Sequence, residues 1–202
     1  MMIEQATEVR AQIHLDRRMG KVVAAKHSHY AIAGVLVVPG DDESVYAVAT
    51  DGTCAALARC KGHSDAKHIL PAELLPTRAR AAGYDFALNG DWTCEKLSAP
   101  EVDGHFPRLR DVIPEAVPGC RAVSINARLL CNLADSITDT GAVTLIFPDN
   151  PNRPILVVPA RTQGDDLPDS LGVIMPTEED GDPLKRANDF RDAYTVAETA
   201  AE

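Results

Sequence analysis

His63 and His68 stand five residues apart with Asp65 between them, the side-chain types that a divalent metal or a proton transfer would need. A zinc site asks for three or four such ligands at fixed spacing. No third ligand follows at a convincing distance and the segment reads as a loop, so the two histidines read as a scattered surface pair. Asp103 with Asp111, and Glu178 with Glu179 and Asp180, read as carboxylates of a turn and a tail, without the pairing that acid/base work requires. There is no G-x-S-x-G, no phosphate-binding glycine loop and no H-E-x-x-H. The five cysteines, Cys54, Cys60, Cys94, Cys120 and Cys131, show no C-x-x-C spacing and read as small apolar side chains of a reduced chain. The residue chemistry thus points away from an enzyme and implies neither a metal nor a cofactor.

What remains is a scaffold that binds. The 202 residues are 45% apolar, enough to bury a core, and only 4% aromatic, so packing must rest on Val, Ile, Leu and Ala, which suit strands. A formal charge of −10 argues against a protein wrapped tightly by nucleic acid but leaves room for one basic face. No apolar stretch approaches the roughly 20 residues of a membrane span. No secretory signal precedes the cysteines, and the expectation is a soluble, cytoplasmic protein.

One kind of unit recurs along the chain. Glu8 to His14 reads as a strand, and Leu15, Met19, Val22 and Val23 then share a helical face that ends near Lys26. Ala31 to Val38 and Val45 to Thr50 follow as strands, and Asp51-Gly52 has the chemistry of a two-residue hairpin leading into a partner strand, Thr53 to Arg59. In the second copy, His68-Ile-Leu-Pro71 leads into a helical stretch, Ala72 to Ala82, interrupted by Pro76. Asn89-Gly90 then joins Phe86-Ala-Leu88 to Asp91-Trp-Thr-Cys94, and Leu97 to Val102 adds an edge. In the third, Ala122-Val-Ser-Ile125 is a short strand, Asn126 caps a helix with Leu129, Leu130, Leu133 and Ile137 on one face, and Val143 to Phe147, Pro154 to Val158 and Leu171 to Met175 are strands. The fold class is therefore α+β: tandem β-α-β-β-β units with helices on one face of antiparallel sheets. Residues 1–115 make one complete domain of two units and 120–177 a half domain of one. From 178 to 202 the expectation is an acidic, partly disordered tail, its last part either poorly ordered or a weak surface helix.

Three segments occur in order: Val45-Tyr-Ala-Val-Ala-Thr-Asp-Gly52, Val102-Asp-Gly-His-Phe-Pro-Arg-Leu-Arg-Asp-Val-Ile-Pro114 and Gly172-Val-Ile-Met-Pro176. Together with the repeating unit they resemble the β subunit of bacterial DNA polymerase III, the sliding clamp, from about residue 8 to 177. A clamp chain has three domains of two units each; here the segment Glu115 to Cys120 stands where half a domain would be.

The resemblance implies a DNA-clamp-like fold and two surfaces. A cleft for short peptides of polymerases and repair proteins would use Ile32, Thr50, Asp51, Gly52, Pro114, Val173, Met175 and Pro176. Clamps usually carry His-Arg-Leu after the glycine of Gly52, where this chain has Thr53-Cys54-Ala55, so an apolar wall and a cation are missing. A DNA-facing surface would use Arg17, Arg18, Lys21, Lys26, His29, Tyr30, Arg78 and Arg80. The implied function is a processivity factor or accessory clamp of DNA replication or repair. Its partners would be double-stranded DNA, held without sequence preference, and short linear motifs, with homo-oligomers and no membrane. The alternative is a clamp-derived interaction module that does not encircle DNA.

Overall fold

Alternation in Ala11–Leu15 (β1) sends Ala11, Ile13 and Leu15 to the interior, at 0 to 2% exposure, and leaves Gln12 and His14 on the other face. The continuous apolar runs of Gly34–Pro39 (β2) and Ser44–Thr50 (β3) have a different cause. Both of their faces are covered, and every residue of β3 is buried. The computed structural model describes residues 9–15, 19–23, 32–76, 83–113, 122–138, 141–150, 153–160, 170–177 and 182–201. They fall into two compact units, Met1–Glu115 with Asn188–Glu202, and Ala116–Ala187.

In unit 1, β1 to β3 are followed by Ala55–Ser64 (β4), His68–Pro71 (β5), Tyr84–Asn89 (β6), Asp91–Cys94 (β7) and Leu97–Ala99 (β8). All pair antiparallel in the order β5-β2-β3-β4-β1-β6-β7-β8. This order contains a reciprocal exchange. The first strand of each repeat pairs with the second strand of the other, β1 with β6 and β5 with β2. Beyond β8, Val102 N donates to Ile69 O at 3.3 Å, drawing the far end of the sheet back to β5.

Two corrections concern turns. The hairpin after β3 is not a two-residue loop: Thr50 faces Ala55, so the reversal takes Asp51 to Cys54. Histidines 63 and 68 do not lie in a loop either, since the first ends in β4 and the second opens β5. Of the first expected helix, the described part is a 3-10 turn, Met19–Lys21, with Met19 buried. Of the second it is a 3-10 turn, Ala72–Leu74, after which Leu75 is extended at φ −72° and ψ 131°, as the residue before Pro76 must be. Residues 16–18, 24–31 and 77–82 lie outside the described residues.

The sheet has two apolar faces. On one, Ile13, Val35, Val37, Ala47, Phe86 and Trp92 pack with Met19 and Leu74 from the turns. On the other, Leu36, Val38, Tyr46, Val48 and Ile69 pack with Leu109 and Tyr194. Tyr194 comes from the tail, whose sequence left open poor order or a weak surface helix; Pro183–Ala200 is a helix (α2), and Phe190, Tyr194 and Ala197 pack on this second face, so it is not merely a surface helix.

Unit 2 is smaller. Asn126 caps Ala127–Ile137 (α1) as its sequence promised, its Oδ1 accepting from Arg128 N at 3.0 Å and Leu129 N at 3.3 Å. Val143–Ile146 (β9), Ile155–Pro159 (β10) and Gly172–Ile174 (β11) form a sheet in the order β11-β10-β9. Leu130, Leu133 and Ile137 pack on Ile155, Val157 and Ile174. Leu129, expected on that face, is 56% exposed, because it stands about 100° around the helix from Leu130, beyond the edge of the stripe. The expected strand at 122–125 forms no ladder; Ser124 O accepts from Thr177 N at 2.7 Å.

Candidate functional site

The turn Thr50 to Cys54 is built from its own side chains. Thr50 Oγ1 donates to Cys54 O at 2.6 Å and accepts from Gly52 N at 3.0 Å, while Asp51 Oδ1 accepts from Thr53 N at 2.8 Å and Cys54 N at 2.9 Å. The backbone amides of Cys54 and Thr53 hold the Asp51 carboxyl below its ordinary range. Desolvation and the Asp51 charge push the Cys54 thiol up, the reverse of what a nucleophile needs. This turn is a fixed platform, not a reactive centre.

The expected peptide-cleft residues differ in what they can offer. Ile32 and Thr50 are 6% and 4% exposed, the latter with its hydroxyl committed to the turn, whereas Asp51 and Gly52 are exposed. In unit 2, Val173 and Met175 are 52% and 58% exposed and Pro176 is half-buried. Pro114 lies outside the described residues. Of the expected DNA-facing residues only Lys21 is described, exposed at the end of its turn; Arg17, Arg18, Lys26, His29, Tyr30, Arg78 and Arg80 lie outside.

His68 is the polar residue that sequence reasoning misjudged. Its side chain is 3% exposed, with Nε2 at 2.5 Å from Asp65 Oδ1 and Nδ1 at 2.8 Å from Glu101 Oε1, which also accepts from Ile69 N at 3.1 Å. Arg10 Nε completes the cluster at 3.3 Å from Asp65 Oδ2. His63 turns elsewhere, its Nε2 at 3.3 Å from Val9 O. Among the described residues no group of three or more His, Cys, Asp or Glu is arranged to hold a metal ion. The signal for burial was present: His68 opens an apolar strand, and a polar group buried there must find partners.

This cluster borders an open groove of about 750 Å³ lined also by Asp103, His105, Phe106 and Arg108 of the Asp-Gly-His-Phe-Pro segment. Its ion pairs make stability depend on pH. His68, and then Arg10, hold the Asp65 carboxyl below its ordinary value in the folded chain. Its contribution is therefore complete above the unfolded value of about 3.9 and is lost as pH falls through the lower folded value. An Asp65→Asn variant is expected to show a shallower acid limb when urea midpoints are plotted against pH. A limb as steep as wild type would remove Asp65 from the account.

Eight antiparallel strands with exchanged first strands, followed by a lone helix-backed sheet, can be compared with solved structures. No protein-family model and no curated protein matches the sequence. The Caulobacter crescentus β sliding clamp matches 96% of this chain and 59% of its own, at 16% identity and a TM-score of 0.58. The chain has the fold of the bacterial sliding clamp.

Two further clamps fit the same description. The Helicobacter pylori β clamp bound to a DNA ligase peptide matches over 96% of this chain and 59% of its own, at 13% identity and a TM-score of 0.55. The DNA polymerase III β subunit of Borrelia burgdorferi matches over 78% and 46%, at 12% identity and a TM-score of 0.55. The chain thus spans less than two thirds of the clamps it matches.

Proposed function

We propose that this protein is a sliding-clamp-like factor of DNA replication or repair, a processivity factor or accessory clamp that binds duplex DNA and short peptide motifs of partner proteins. The observation that carries this reading is the clamp fold over 96% of the chain. The cations that the clamp resemblance implies would face DNA, Arg17, Arg18, Lys21, Lys26, Arg78 and Arg80, would attract phosphates without reading bases, which permits sliding. Val173 and Met175, exposed and apolar, would seat the motif, Met supplying an adaptable contact.

Fluorescence anisotropy of a labelled duplex tests the DNA arm. Six phosphate contacts predict a loss of about a thousandfold in affinity between about 50 and 200 mM salt. Replacing Arg17 and Lys21 by alanine should lower the logarithmic salt slope by about 2. No duplex binding at low salt would sink this arm. The second reading, an interaction module that does not encircle DNA, is favoured by α1, where Arg128 is offset by Asp135, and by the net charge of −10. Binding of a clamp-binding peptide, weakened by Met175→Ala, without any binding of duplex would favour it.

A further inference from the structure

Among the described residues β9 is an edge strand, paired with β10 on one side only. Its counterparts in unit 1, the second strands β2 and β6, each carry the other repeat's first strand on that side. The burial follows. Val35 and Val37 on β2, and Phe86 and Leu88 on β6, are 0% exposed, whereas Val143 and Leu145 on the core side of β9 are only half-buried. On α1, Leu129 stands 56% exposed. The segment 123–125 packs Val123 and Ile125 on the unit 2 core and gives the Ser124 carbonyl to Thr177, so alternation turns the backbone groups of Val123 and Ile125 to the opposite edge.

Strand edge, half-buried core and exposed helix leucine all describe one missing mate: a second repeat of the same kind. We propose that unit 2 binds unit 2 of a second copy of this chain. Segment 123–125 of each copy lies antiparallel on β9 of the other, as β1 lies on β6 and β5 on β2. In unit 1 both exchanged pairs are satisfied internally. Among its described residues unit 2 has one strand to give and one to receive, and a second copy has the same two. The exchange is self-complementary, so it closes as a two-fold dimer and covers both β9 edges at once, where a flat open edge would invite aggregation. The register of unit 1, with Ile13 opposite Phe86 and both facing the core, carries over as Ile125 opposite Val143 and Ser124 opposite Thr144.

Sedimentation equilibrium of the full chain over a range of concentrations tests this. The expected mass is that of two 21.7 kDa chains or an even multiple; a single chain at every concentration overturns the proposal. Leu129→Glu alters a side chain that solvent reaches in the single chain, so circular dichroism at concentrations too low for the dimer should not change, while the dimer should weaken at least about tenfold, the effect of some 1.4 kcal/mol. A dimer indifferent to Leu129→Glu places the interface elsewhere and overturns it. The register is read by mixing Ser124→Cys with Thr144→Cys, both in a background with Cys54, Cys120 and Cys131 changed to serine. Oxidation should join the two species, and a dimer that gives no mixed disulfide overturns the strand exchange.

Discussion

Replacing Tyr194 by alanine is expected to destabilise unit 1 by about 3–5 kcal/mol, the range for removing a fully buried aromatic side chain. Tyr194 is 0% exposed, and its ring meets that of Tyr46 edge-on, centroids 5.6 Å apart at 71°. Phe190 meets the same tyrosine from one turn earlier, at 5.8 Å and 82°. The phenol donates to Glu198 Oε1 at 2.9 Å, and Glu198, itself 2% exposed, accepts from Arg110 N at 3.4 Å through its other oxygen. Burial, and then the Glu198 charge, push the Tyr194 hydroxyl far above its ordinary range, so it stays a donor. A buried carboxylate deprived of that donor is costly, and Tyr194→Phe should by itself cost about 1–3 kcal/mol. Urea unfolding gives both values. Ending the chain at Thr177 should be harsher still. Leu36, Val38, Tyr46, Val48 and Ile69 would lose the cover of α2, and the truncated protein should bind a hydrophobic dye that the full chain ignores. Wild-type midpoints for Tyr194→Ala, with a truncated chain silent to the dye, would mean that α2 does not hold this face.

That helix was hard to read because its apolar stripe is sparse. Phe190, Tyr194, Ala197 and Ala201 are spaced by four, three and four, a helical period, but Glu198 sits inside the stripe and makes it look polar. Its burial is legible only once Tyr194 and Arg110 are seen beside it. His68 failed in part because its Glu101 partner is 33 residues away, although the apolar strand it opens and Asp65 three residues before it were local signals. Local signals did better. The runs at 34–39 and 44–50, the Asn126 cap and the strand at 172–174 follow from side-chain pattern and backbone chemistry, which act over a few residues. Asp51-Gly52 was seen as a turn but made too short, because the Asp51 carboxylate takes two successive amides and carries the reversal to Cys54. Of the candidate cleft residues, Asp51, Gly52, Val173 and Met175 stand exposed. The deep burial of Ile32 and Thr50 was not legible, since it depends on how the whole sheet closes.

Gly62→Ala is expected to cost about 3–5 kcal/mol, near the upper end for a single added methyl group. Two effects combine there. Gly62 has φ +151°, a conformation that side-chain-bearing residues rarely adopt, and a Cβ at that position would land on the Gln12 carbonyl oxygen and stand 3.0 Å from Ile13 Cα. Those atoms are backbone of β1, which cannot swing aside as a long side chain could. Gly62 also donates to Glu43 O at 2.9 Å, so displacement toward the far side would break that bond. Gly52→Ala separates the two effects. Its φ is +89°, but nothing lies within 4 Å of the added carbon, and the backbone term alone should cost about 1–2 kcal/mol. The difference between the two urea midpoints measures the close approach of β4 to β1. That approach has consequences beyond one strand pair, because β1 is the strand lent to the second repeat: its register with β4, Ile13 opposite Gly62, is set on the same residues that face Phe86 on β6. Equal losses at Gly62 and Gly52 would show that the strands have room to spare at this crossing, and that the exchanged strand is held by its β6 partner alone.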